Sequence, residues 1–151
     1  MFAVNSGVPA FTASDATAFA ADKNFSGGST YSKVVAINGT TDDALYQTER
    51  YGNFSYAIPV TNGDYRINLS FAELYFTQTG KRVFDVLMEG TERISNLDIY
   101  AQVGANTAYN TETLVTVSDG TLNIQFVSNV ETAKVNAIKV SPTVTGPPNT
   151  P

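Results

Sequence analysis

Apolar and polar residues alternate with a period of two along much of this chain, and that period constrains the fold more than any other feature. In Tyr65-Arg-Ile-Asn-Leu-Ser-Phe71, the residues Tyr65, Ile67, Leu69 and Phe71 share one face and Arg66, Asn68 and Ser70 the other, the pattern of a strand buried on one side. Similar segments recur at Phe54–Val60, Lys81–Met88, Thr111–Val117, Thr121–Phe126 and Lys134–Val140, with a less regular one over Arg93–Tyr100. Asn62-Gly63 and Asp119-Gly120 read as hairpin turns, and Glu89-Gly90 ends a strand. Pro59, which cannot donate to a ladder, suits an edge or a strand end. The competing α/β reading has only the Ala-rich Asp15–Asp22 stretch to offer as a helix, too little for repeated crossovers. The expectation is all-β: an antiparallel β-sandwich or jelly roll, monomeric, over residues 1–140. From Ser141 to Pro151 the sequence holds four of its six prolines and no aromatic residue, and reads as an extended linker to an attached domain.

Composition then removes whole classes of function. The chain has neither histidine nor cysteine, so a Ser-His-Asp triad, a Cys-His pair or a zinc site with His or Cys ligands cannot be built. Its net charge is −5, and its nine Lys and Arg are scattered. No basic stripe is present to displace counterions from nucleic acid or to hold an anionic membrane. No segment has the length and apolarity of a membrane span, and no signal peptide is recognisable. The chain reads as a domain excised from a secreted or cell-surface protein, of bacterial origin.

A neutral ligand or a neutral partner surface fits these limits. Sugars present apolar C–H faces and polar edges, so their sites combine flat aromatic rings with rim donors and acceptors. With eight Tyr and no Trp, tyrosines are the candidates. Tyr65 alternates with Ile67 and Leu69 and reads as core or strand surface, and Tyr56 reads similarly. Tyr75 and Phe76 are adjacent just beyond a regular strand. On a continuing strand they would point to opposite faces, a core Phe beside a surface Tyr. Both line one site only if the backbone leaves strand geometry there.

Four segments, Ala44-Leu-Tyr-Gln-Thr-Glu-Arg-Tyr-Gly52, Phe71-Ala-Glu-Leu-Tyr-Phe76, Lys81-Arg-Val-Phe-Asp-Val86 and Asn96-Leu-Asp-Ile-Tyr100, together resemble the signature of the malectin domain family. Val4-Asn5-Ser6-Gly7 resembles its opening strand and turn, and Ala133–Ile138 its last strand. The resemblance implies a jelly-roll sandwich whose loops bind a short glucose oligosaccharide. By that resemblance Tyr51, Tyr75 and Phe76 are ligand-binding aromatics. An earlier family Tyr corresponds to Tyr31, with Phe25 as the rival, and a late family Asp corresponds to Glu131. The implied function is a carbohydrate-binding module that targets a covalently linked enzyme or surface domain to an oligosaccharide or polysaccharide. The alternative is a protein- or peptide-binding extracellular domain. No catalytic residue is expected, and no metal or cofactor beyond a structural calcium. Asp42-Asp43 are candidates for a structural calcium, Glu49 and Arg50 for a structural ion pair, and Glu73 and Asp85 for core-side hydrogen bonds.

Overall fold

The computed structural model describes residues 1–7 and 10–143. These form β1 (Phe2–Asn5), β2 (Phe11–Thr12), β3 (Ala18–Ala21), β4 (Phe25–Ser32), α1 (Asp43–Tyr46), β5 (Thr48–Pro59), β6 (Gly63–Phe71), β7 (Val83–Met88), β8 (Thr91–Leu97), α2 (Ile99–Val103), β9 (Tyr109–Val117), β10 (Thr121–Val130), β11 (Ala133–Val135) and β12 (Ala137–Pro142). One sheet has the order β2-β3-β1-β12-β6-β9. The other runs β11-β5-β10-β7-β8, with β4 on the opposite edge of β5. Pairing is antiparallel except between β1 and β3. The Ala-rich stretch is therefore a strand beside β1, not a helix. No helix among the described residues is long and apolar enough to cross a membrane.

The period-two pattern is what fills the space between the sheets. Tyr65, Ile67, Leu69 and Phe71 of β6 face Phe84, Val86 and Met88 of β7 and Leu122, Ile124 and Phe126 of β10 in one buried cluster. The alternating partners, such as Arg66, Asn68, Asn123 and Gln125, turn outward. Phe54 stacks on Phe126 at 4.5 Å, and Tyr56 meets both rings edge-on. Truncating such a packed ring costs about 3–5 kcal/mol. Tyr56 is thus core, not strand surface.

Two turns act differently from the sequence reading. Asn62-Gly63 and Asp119-Gly120 do not close hairpins, because each connects a strand of one sheet to a strand of the other. They lie side by side: Val60 N donates to Gly120 O (3.1 Å) and Gly120 N to Asn62 Oδ1 (2.8 Å). Glu89-Gly90 is a true two-residue hairpin between β7 and β8. Both residues have positive φ (52° and 78°), as such a turn demands. Pro59 is the last residue of a central strand.

The segment read as one strand from Lys134 to Val140 breaks at Asn136 and serves both sheets. β11 pairs with β5, β12 with β6 and β1. Asn136 is fully buried, and its side chain replaces the interrupted ladder. Nδ2 donates to Tyr46 O (2.8 Å) and Thr48 O (3.0 Å), while Oδ1 accepts from Ala72 N (3.0 Å). The linker boundary also moves: Ser141 and Pro142 pair with Arg66 and Tyr65, and Thr143 N donates to Asp64 O (3.0 Å). The rest of the expected linker, 144–151, lies outside the described residues.

Candidate functional site

β5 begins, β6 and β10 end, and β7 begins at the same end of the sandwich, and the charged side chains of Glu49, Glu73, Arg82 and Lys134 are buried there. Glu49 and Tyr51 stand two apart on β5, so they face the same way and Arg50 faces the opposite way. Glu49 therefore does not pair with Arg50. It pairs with the fully buried Lys134 of β11 at 2.5 Å, and Lys134 also donates to Ala72 O. Burial pushes the Lys134 ammonium below the ordinary lysine range, opposed by the Glu49 and Glu73 carboxylates. Arg50 instead pairs with Asp22 (2.9 Å), donates to Gly27 O (2.9 Å) and lies 3.5 Å over the Phe25 ring. Asp22 also accepts from the Tyr56 hydroxyl (2.7 Å) and from Gly7 N (2.8 Å). This explains the opening Val-Asn-Ser-Gly: Gly7 has φ +79°, and a Cβ there would lie 2.5 Å from Glu49 O. Only glycine lets the first turn close onto β5.

The chain after β6 leaves strand geometry because Glu73 bends it. Its Oε2 accepts from both Tyr75 N (3.2 Å) and Phe76 N (3.1 Å). The adjacent aromatics are thereby freed to line the same space. Glu73 is itself buried and held by Arg82, with Nε donating to Oε1 (2.8 Å) and Nη2 to Oε2 (3.3 Å). Arg82 Nη1 continues to Thr132 O (2.9 Å) and Oγ1 (2.8 Å) in the β10–β11 loop. That loop is a break in the β10 edge, closed by Ser128, whose Oγ donates to Gly52 O (3.2 Å) and accepts from Ala133 N (2.9 Å). Glu131 adopts φ +56° at its tip.

These elements enclose an open cleft of about 270 Å³, lined by Tyr31, Glu49, Tyr51, Tyr75, Phe76, Arg82, Glu131 and Thr132. Tyr75, 64% exposed, meets Phe76 edge-on at 4.9 Å and Tyr31 edge-on at 6.0 Å. The Arg82 guanidinium lies 5.1 Å from the Phe76 ring centre. Tyr31, Tyr51, Tyr75, Phe76 and Glu131 are thus brought together, and Phe25 sits elsewhere, beneath Arg50. Glu131 is exposed, and no protein group among the described residues bonds its carboxylate.

The sequence alone assigned no role to Arg82 or Thr132 and paired Glu49 with Arg50. Arg82 did carry a signal: it is in phase with the buried Phe84, Val86 and Met88, so a charge falls on the core face. Asp85, expected on the core side, is on the outer face and accepts from Asn96 N (2.8 Å) and Asn129 Nδ2 (2.9 Å). Asp42 and Asp43 serve as backbone clamps, accepting from Ser14 N (2.8 Å) and Ile37 N (3.2 Å). No group of three or more His, Cys, Asp or Glu gathers as a metal site among the described residues.

Fold and site together define a β-sandwich with an aromatic, acid-edged loop cleft at one end. A family model described as the malectin domain matches residues 1–148, and the chain belongs to that family. It is 39% identical to human malectin over 97 residues, covering 62% of this chain and 33% of that protein. It is equally 39% identical to malectin-B of Xenopus laevis over 98 residues, covering 63% and 36%. It is also similar to kinesin-like protein KIN-14Q of Arabidopsis thaliana, 40% identical over 97 residues, covering 64% of this chain and 7% of that one. The matched region is about a third of the length of the malectins. Among solved structures, a Bacteroides uniformis beta-glucuronidase has the same fold over 95% of this chain and 18% of its own (TM-score 0.85, 23% identity). So does the plant receptor-like kinase FER, over 97% of this chain and 50% of its own (TM-score 0.86, 16% identity).

Proposed function

We propose that the cleft binds a short neutral, glucose-containing oligosaccharide, and that the chain is a non-catalytic carbohydrate-binding module directing an attached enzyme or surface domain of a secreted or cell-surface bacterial protein to its polysaccharide. The observation that carries this reading is the convergence of three tyrosines, a phenylalanine and one unpartnered carboxylate on a single open cleft. Tyr75 offers an exposed ring to a sugar C–H face, and Glu131 offers acceptors to hydroxyls at the rim. The other charges around the cleft compensate one another: Glu49 with Lys134, Glu73 with Arg82. Their pairing leaves Glu131 as the uncompensated charge of the lining, which disfavours an anionic sugar. It also leaves no second free carboxylate for a typical glycosidase pair. The domain family, and the ligand class its resemblance implies, agree with this reading.

A glycan array spanning glucose, galactose, mannose and uronic-acid oligosaccharides tests it, followed by calorimetry of the best ligand. Neutral glucose oligosaccharides should bind weakly, since an open, wet cleft gains little net energy per contact, and uronic acids should not bind. Binding of peptides but no sugar would replace the glycan reading with its alternative. Turnover of a glycoside that is abolished by Glu49→Gln or Glu73→Gln would overturn the non-catalytic one.

A further inference from the structure

The cleft has two lips that come from distant parts of the chain. One is the turn after β6 that carries Tyr75 and Phe76. The other is the β10–β11 loop that carries Glu131 and Thr132. Among the described residues, Arg82 is the one residue with hydrogen bonds to both. Its Nε and Nη2 hold the Glu73 carboxylate at 2.8 and 3.3 Å, and its Nη1 holds Thr132 O and Oγ1 at 2.9 and 2.8 Å. Glu73 passes the constraint on to Tyr75 N and Phe76 N.

We propose that Arg82 is a positioning residue of the cleft, whose planar guanidinium sets the spacing between the aromatic lip and the Glu131 lip. A group needed only to neutralise buried Glu73 has no reason to reach Thr132 as well. Four of the five guanidinium N–H groups are engaged in a fixed plane, so neither lip can shift without breaking bonds to the other's anchor. A lysine supplies the same charge from a single nitrogen and cannot hold both sides of that fork. Arg82 also lines the cleft while only 4% exposed, so it acts from the floor beneath the ligand. The consequence for ligand choice rests on the glycan reading above: Tyr75, Phe76 and Glu131 engage one ligand only while their separation is held. The spacing itself does not depend on that reading.

The test is amide NMR of the full chain with Arg82→Lys and, separately, Glu73→Gln. Hydrogen exchange and chemical shifts are read at Tyr75, Phe76, Glu131 and Thr132. Arg82→Lys should change all four, with exchange at least tenfold faster at both lips and core amides of β6 and β9 unchanged. Glu73→Gln should disturb Glu131 and Thr132, which Glu73 does not touch; this variant carries the test if Arg82→Lys does not fold. Changes confined to one lip in either variant overturn the proposal. In parallel, maltotetraose, cellotetraose and laminaritetraose are titrated into wild type and variant. Where wild type binds one of them, folded Arg82→Lys should lose tenfold or more in affinity, and equal affinity overturns the positioning role. If wild type binds no sugar, the glycan reading fails while the two-lip amide response still decides the coupling.

Discussion

The two ends of the sandwich lie one strand length apart, roughly 30 Å at about 3.3 Å per residue, and they are built on opposite principles. At the far end, the connections 60–63, 89–90 and 118–120 are short and close mostly through backbone and local polar contacts, such as Tyr65 hydroxyl to Thr61 O at 2.6 Å and Gly120 N to Asn62 Oδ1. Their glycines supply positive φ and meet nothing: a Cβ on Gly90 or Gly120 would find open space. At the cleft end, the long connection 72–82 and the short loop 131–132 are held together by buried charge. Gly7 and Gly28 there permit close approach to the start of β5, with the backbone oxygens of Glu49 and Tyr51 within 3 Å of where a Cβ would sit. One end only has to turn the chain. The other has to hold exposed aromatics and an acid in register, and buried ion pairs do that because they are directional where apolar packing is not.

That contrast can be broken at several points. Lys134→Met leaves Glu49 buried without its partner, which should cost about 3–5 kcal/mol, a fall in Tm of about 10 °C at this chain length. Adding Glu49→Leu should restore most of it. Asp119→Ala at the far end, which only loses a local contact to Thr121 N, should stay within about 1 kcal/mol. Equal losses in thermal melts would remove the distinction. Gly7→Ala meets both an unfavourable φ and the Glu49 carbonyl, and should cost about 3 kcal/mol or more. Gly120→Ala meets only the φ and should cost about 1–2 kcal/mol. Denaturant unfolding of the two variants measures the difference directly.

A smaller effect lies in pH. Burial raises the Tyr56 phenol above its ordinary value of 10.0, with Asp22 opposing its ionisation and Ser6 and Arg50 favouring it. In the unfolded chain Tyr56 loses its proton near pH 10, whereas in the folded protein it retains it. The folded state then binds more protons, so its stability is full below pH 10 and falls as pH rises beyond it. Tyr56→Phe should cost about 1–3 kcal/mol at neutral pH by stripping a partner from Asp22 and Ser6, and should flatten this alkaline loss. Urea unfolding from pH 8 to 11 reads both. The smallest expected change in stability is at Tyr75. Tyr75→Ala should shift Tm by little while weakening a bound oligosaccharide by about 1–3 kcal/mol. Tyr65→Ala at the far end should do the reverse, destabilising by about 3 kcal/mol or more and leaving affinity alone.

How much of this was legible in the sequence differs between the ends for the same reason. Period two reads apolar burial, so β6, β7, β9 and β10 and the face of Ile67, Leu69 and Phe71 were visible. It does not read which sheet a turn leads to, and so Asp119-Gly120 resembled a hairpin. Nor does it read a strand that changes sheets at a polar pivot: Asn136 looked like an ordinary alternating position, and only its buried partners show it as the break. At the cleft, the aromatic and acidic residues entered through resemblance in motif order, while pattern alone left Tyr75 and Phe76 on opposite faces. The device that overrides the pattern is Glu73, whose carboxylate captures two backbone N–H groups through space. Arg82 and Lys134 were hidden because charged side chains are not ordinarily assigned to a core, although the phase of Arg82 with Phe84 and Val86 placed it there.

The central claim is that ligand recognition belongs to the cleft end alone. Amide NMR of the full chain during titration with the best-binding neutral oligosaccharide from the array tests it most directly. The account predicts shifts at Tyr31, Glu49, Tyr51, Tyr75, Phe76, Glu131 and Thr132, saturating together, with 60–63 and 118–120 unmoved. Shifts centred on those far-end turns, or on the outer-sheet groove beside Ser55 and Gln125, with the cleft residues silent, would contradict it.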